Sequence, residues 1–243
     1  MQRRVGDVTR EPARQLAETA MTATAAAGLT RQRRARSAPP GAVDAQERAR
    51  QDALALVERE ALVRPSFGFR ILPVRRTHGD TFEADGLALE VRGLRDESGD
   101  LVAVAAATCT LGPALEARVT SLFPAGRPLL ALALDAVGTE RLFGAADHVV
   151  ARIRREARRL GLTTGAEIGP GDPGMALDQQ AALLALAGAR QNGITLTARG
   201  MLAPVKSLSF LVTLGRNLTV RSAPRCHACP SKHRCSIRAH PAE

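Results

Sequence analysis

The segment from Leu129 to Arg159 constrains this chain most. It is apolar at helical spacing, rich in alanine at close-packing positions, and free of proline. It therefore predicts one long helix whose apolar stripe must be buried against other elements. Arg154, Arg155, Arg158 and Arg159 stand at its C-terminal end, where cations complement the helix dipole, and Gly161 supplies the stop. Composition says what can cover such a helix. Hydrophobic residues make up 45% of the 243, yet aromatics are only 2%, with no Trp and no Tyr. Leu, Val and Ala must therefore build the core, and the length allows one sizeable core or two small ones.

Around that helix the pattern alternates between periods. Asp44 to Val63 reads as an amphipathic helix with Ala53, Leu54, Leu56, Val57 and Leu62 apolar, Asp44 as N-cap and Pro65 as terminator. Phe67, Phe69, Ile71 and Pro73 alternate with polar or small residues, the mark of a strand. Leu87–Val91 and Leu101–Thr108 read as a strand pair joined through a Ser98-Gly99-Asp100 turn. Leu115 to Phe123 reads as a helix. Residues 165 to 174 are dense in glycine and proline, so no regular element is expected there. Ala176 to Ala189 is helical again. Ile194, Leu196 and Met201 lead into a last strand near Ser207 to Leu214. Hairpin-like strands with unevenly spaced helices predict an α+β domain: a mixed, mainly antiparallel sheet packed with helices, followed by a C-terminal Cys-rich clip.

The chain divides into three segments. Residues 1–42 are basic, with Leu16 to Leu29 a weak helix former, and read as a flexible extension; 43–222 form the α+β domain; 223–243 form the metal-binding tail. The net charge of +10 is carried mostly by Arg. Arg-rich usage suits a polyanionic partner only weakly here, because stacking on single strands needs aromatic platforms, so a nucleic-acid role is not expected. No run of about 18 apolar residues predicts a membrane span, and no apolar segment follows Arg3 and Arg4 as a secretory signal requires. The chain reads as cytoplasmic, with thiols reduced.

Cys226, Cys229 and Cys235 form a Cys-x2-Cys-x5-Cys cluster with Pro230 after the second thiol. Sulfurs two residues apart converge on one centre and a third can close over it, so the cluster predicts metal. An iron–sulfur cluster and structural zinc both remain open. Lys232, His233 and Arg234 offset a negative cluster, whereas zinc has His227, His233 and His240 at hand; Cys109 is a further candidate for a fourth ligand.

The chain also resembles the reactivation domain of cobalamin (vitamin B12)-dependent methionine synthase, in its short stand-alone form. Ala107-Thr108-Cys109-Thr110-Leu111-Gly112 is similar to the family's "ATLG" turn and is followed by a Leu134–Glu140 helical segment. Gly169-Pro170-Gly171-Asp172-Pro173-Gly174 is similar to its "PGY" loop. Asn192-Gly193-Ile194-Thr195-Leu196-Thr197, Met201-Leu202, Pro204, Lys206-Ser207 and Ser209 carry the third match, and the resemblance covers roughly residues 48 to 235. Short forms of the family also end in a cysteine cluster.

The resemblance implies reductive remethylation of an oxidised cobalamin, with S-adenosylmethionine as methyl donor and an electron from a donor protein. It implies cofactor contacts at Gly169, Pro170, Gly171, Lys206 and Ser207, and metal at Cys226, Cys229 and Cys235. Lacking an Asp-x-His-x-x-Gly signature, the chain would act on a separate corrinoid-binding methyltransferase subunit. It departs from the family in the donor loop. Glu167 stands where the resemblance places a carboxylate-binding Arg, Asp172 stands in place of a Tyr, and only Gly171 is kept. A carboxylate in place of a guanidinium turns attraction for the donor's carboxylate into repulsion. The alternative is a non-catalytic metal-binding docking module that keeps the fold without the donor site.

Overall fold

The structure, a computed structural model, describes residues 40–78, 80–92 and 100–218. Its centre is a four-stranded sheet of order β1-β5-β9-β6, formed by β1 (Ser66–Pro73), β5 (Asp100–Thr110), β9 (Ser207–Arg216) and β6 (Thr163–Ile168). Every pairing in it is antiparallel. The predicted long helix is present as α3 (Pro128–Arg159), with Pro at its start and Arg158 and Arg159 in its last turn. The two halves of α3 pack differently. Leu142, Ala146, Val149 and Ile153 lie on the sheet against Phe69, Ala105, Ala107, Phe210 and Val212. Leu130, Leu134 and Val137 pack instead against α1 (Pro40–Arg59) and α2 (Ala114–Leu122). Alanines at 103, 105 and 107 let the helix sit close on β5, which is how a chain poor in aromatics closes this layer.

Helix α1 differs from expectation at both ends. It begins at Pro40, so Asp44 lies inside it instead of capping it; proline suits a first turn because its missing N–H has no helical partner there. It ends at Arg59, well before Pro65. Ala61 turns left-handed (φ 48°), and the Leu62 N–H returns to the Val57 carbonyl at 3.1 Å, closing the last turn and burying Leu62. Arg50 of α1 grips Glu140 of α3 through two hydrogen bonds of 2.7 and 2.8 Å. The Glu140 carboxylate raises the Arg50 pKa further, against the opposing effect of burial.

The predicted pairing of Leu87–Val91 with Leu101–Thr108 does not occur. β4 (Leu87–Glu90) pairs with β3 (Thr81–Ala84), which pairs with β2 (Arg75–His78), in a separate three-stranded sheet, while β5 lies between β1 and β9. The tight hairpin is at Asp85-Gly86, where φ of 52° and 76° at the two central residues make the mirror-image turn that matches strand twist. This small sheet and α4 (Gln180–Ala187) cover the second face of the main sheet, where Phe82, Leu89, Met175, Leu183 and Leu186 bury Leu72, Val104, Ala106 and Leu211.

The glycine-rich stretch is regular over its first third: β6 pairs with β9 as far as Ile168, with a bulge between Thr164 and Glu167. The expected helix at 176–189 is only α4, with 3-10 turns at Leu177–Gln179 before it and Ala189–Asn192 after it. Gly188 (φ 64°) breaks the helix in the left-handed conformation. A two-stranded hairpin, β7 (Thr195–Leu196) with β8 (Leu202–Ala203), precedes β9.

Candidate functional site

The strand register sorts the main sheet into two chemically different faces. Phe67, Phe69, Cys109, Phe210 and Val212 point at α3. On the opposite face the residues nearest α4 are apolar, but towards the end where β9 begins they become small and polar: Gly68 beside Thr108 beside Ser209, and Ser66 beside Thr110 beside Ser207. Thr108, Thr110, Ser207 and Ser209 are all buried, so each hydroxyl must find a partner.

They do so locally. The Ser207 hydroxyl lies 2.8 Å from Thr110 Oγ1 and 2.6 Å from the Pro204 carbonyl oxygen, to which it donates. Thr110 Oγ1 in turn accepts from the Gly112 N–H at 3.1 Å. Gln180 of α4 reaches across to donate to Ser209 Oγ. The Asn192 amide is oriented by its partners, its oxygen accepting from Gly68 N–H (3.2 Å) and Thr108 Oγ1 (3.3 Å) and its nitrogen donating to the Phe67 carbonyl (3.2 Å). Gly68 permits this approach: a Cβ there would lie 2.5 Å from the Asn192 amide group.

The loop after β6 is seated beside this polar floor. A Cβ on Gly169 would lie 3.2 Å from the Ser209 carbonyl oxygen, so the loop rests directly on β9. Asp172 closes it, its carboxylate accepting from the Gly169 N–H at 2.7 Å. At the loop's far end Arg92 N–H donates to the Gly174 carbonyl at 2.8 Å, tying it to the exit of β4.

The expected site residues separate under this geometry. Gly169, Pro170, Gly171 and Ser207 lie at one end of the sheet around Ser209. Lys206, in the bend just before β9, does not join them. Its ammonium is committed to α3, 2.8 Å from Asp135 Oδ1 and 2.8 Å from Thr139 Oγ1. Glu167 pairs with Val212 and so shares the α3 face, on the other side of the sheet from Ser209. Asp172 is the closing strap of the loop. Cys226, Cys229 and Cys235 lie outside the described residues, as do residues 1–39. Cys109 is fully buried in the layer under α3, and among the described residues no group of three His, Cys, Asp or Glu side chains can hold a metal ion.

Sequence reasoning misses Thr108, Thr110, Ser209, Gln180 and Asn192 as site residues. A signal for the hydroxyls exists, since Thr108-x-Thr110 and Ser207-x-Ser209 place polar groups at alternate positions of otherwise apolar strands.

A search of solved structures matches this arrangement to the MetH reactivation domain bound to AdoHcy. The match covers 86% of this chain and 78% of that one, with a TM-score of 0.54 at 15% identity. The chain has the reactivation-domain fold. No family model and no curated protein matches the sequence. Within this reactivation-type fold, four segments of the sequence resemblance, 107–112, 169–174, 192–197 and 201–209, come together at the polar end of the main sheet, while the fifth, Leu134–Glu140, lies in α3 and meets that end through Lys206. Among the described residues no helix is long and apolar enough to cross a membrane.

The role of Lys206 as an anchor is testable. Asp135→Ala is expected to lower stability by about 1–2 kcal/mol, a figure kept small because Asp135 is 48% exposed. Lys206→Met in the same background should recover much of the loss by keeping the packed stem without the charge. A urea-denaturation double-mutant cycle reads both, and a neutral Asp135→Ala would remove the anchor.

Proposed function

We propose that this protein serves in the reductive reactivation of a cobalamin-dependent methyltransferase, binding an S-adenosyl compound at the polar end of its main sheet. The observation that carries this reading is the convergence just described, in a fold shared with a domain solved with AdoHcy bound. Gly169, Pro170 and Gly171 would border the ligand on one side and the β9 start around Ser207 on the other. The hydroxyls of Thr108, Thr110, Ser207 and Ser209, held by one another and by Asn192 and Gln180, would form the floor. S-adenosylmethionine, when bound, supplies the methyl group; what this chain supplies is position and a preorganised polar surface. The corrinoid would sit on a separate subunit docked at that end, and the electron would come from a donor protein. Cys226, Cys229 and Cys235 are proposed to bind an iron–sulfur cluster or zinc beside that partner.

Calorimetric titration of the full chain with AdoHcy and with S-adenosylmethionine tests the central claim. Saturable binding at about 1 mM ligand or below is expected. Absence of heat with both compounds would sink the reading.

A further inference from the structure

We infer that the Gly169–Gly174 loop selects for a cationic, hydrogen-bond-donating group and against a carboxylate, so that the preferred ligand is an S-adenosyl-type sulfonium lacking the carboxylate. This rests on the reading that residues 169–171 and Ser207 border the ligand. Glycine loops that hold anions do so with outward N–H groups. Here most of those groups are spent within the loop itself. Pro170 and Pro173 have none. The Gly169 N–H is taken by the Asp172 carboxylate at 2.7 Å. The Gly171 N–H goes to the Met175 carbonyl (2.9 Å), that of Asp172 to the Gly169 carbonyl (3.0 Å), and that of Met175 to the Asp172 carbonyl (3.1 Å). Gly174 stands apart at the far end, its carbonyl accepting from the Arg92 N–H and its own N–H outside this set.

What the loop can present is therefore the carbonyl oxygens of Pro170, Gly171 and Pro173 and the second oxygen of the Asp172 carboxylate. The charged neighbours reinforce this polarity. Asp178 follows within a few residues and is exposed, and Arg92 is already paired with Glu90 at 3.5 Å. Leu177 is exposed, and its side chain lies 4.0 Å from where a Gly171 Cβ would stand, adding an apolar wall. Carbonyl oxygens, one carboxylate and an aliphatic wall suit a sulfonium or alkylammonium group. They repel a carboxylate, which would meet Asp172 where the N–H groups of Gly169, Gly171 and Asp172 are already taken.

The experiment compares S-adenosylmethionine with its decarboxylated analogue, titrated into the full-length wild type and Asp172→Asn. Asn retains an acceptor for the Gly169 N–H and removes the charge. The decarboxylated sulfonium is expected to bind at least about tenfold more tightly to the wild type. In Asp172→Asn that ratio should fall to about threefold or less, with the melting temperature unchanged. Equal or tighter binding of S-adenosylmethionine to the wild type, or a ratio unmoved by Asp172→Asn, overturns the inference while leaving the adenosyl site standing. Failure of both compounds to bind overturns the site reading and the specificity together.

Discussion

Gly174→Ala is expected to cost about 2–4 kcal/mol and to unseat the loop that borders the proposed ligand. Gly174 has φ +109°, where a side chain is strained, and a Cβ there would lie 2.8 Å from the Arg92 carbonyl oxygen. Neither partner can yield cheaply. Arg92 N–H holds the Gly174 carbonyl at 2.8 Å, and the adjacent Met175 is fully buried in the second core. Gly126→Ala provides the control. Gly126 also has positive φ (+70°), but a Cβ there would meet nothing within 4 Å, so only the backbone cost of about 1 kcal/mol should emerge. Chemical denaturation of both variants isolates the clash. The same Gly174 variant should lose S-adenosyl binding in calorimetry. Equal stability losses at the two glycines would mean that the loop is not clamped at Arg92.

Phe82→Ala is expected to cost about 3–5 kcal/mol. Phe82 is 2% exposed and packs with Leu89, Val104, Ala106 and Leu211, so it joins the small sheet to the main one. A peripheral hairpin would lose under about 1 kcal/mol on the same change. Thermal melting decides between these, and the result also bears on the loop, because Arg92 at the exit of β4 is what holds Gly174.

Much of the architecture was readable from local pattern. The α3 helix, β1 and β9 have strong periodicity, and the structure places them where the apolar spacing does, to within about two residues. The pairing of β4 with β3 was missed although a signal for it exists in Asp85-Gly86, the two-residue turn such a hairpin needs. Ser98-Gly99-Asp100 competed with it as a turn signal, and a turn signal alone does not name which strands pair. The early end of α1 was not readable, since Ala61 is an unusual residue for a left-handed stop and Pro65 offered a more conventional one.

The candidate site divides the same way. Alternation along β9 already places Ser207 and Ser209 on one face, so local sequence marks part of the floor. It cannot say that Lys206 meets Asp135 on a helix far back in the chain, or that Asn192 reaches back to Gly68 and Thr108. Those contacts depend on which strands lie side by side. Nor does the glycine-rich stretch reveal its polarity. Glycine and proline content predicts a turn, but only the folded loop shows the N–H groups of Gly169, Gly171 and Asp172 spent on Asp172, Met175 and Gly169. The sequence by itself determined the elements, the aromatic-poor core and the polar positions, because periodicity and composition act over neighbouring residues. The tertiary structure alone decided which polar groups of the floor meet, because Asn192 with Gly68, Gln180 with Ser209 and Ser207 with Thr110 join segments that are distant along the chain.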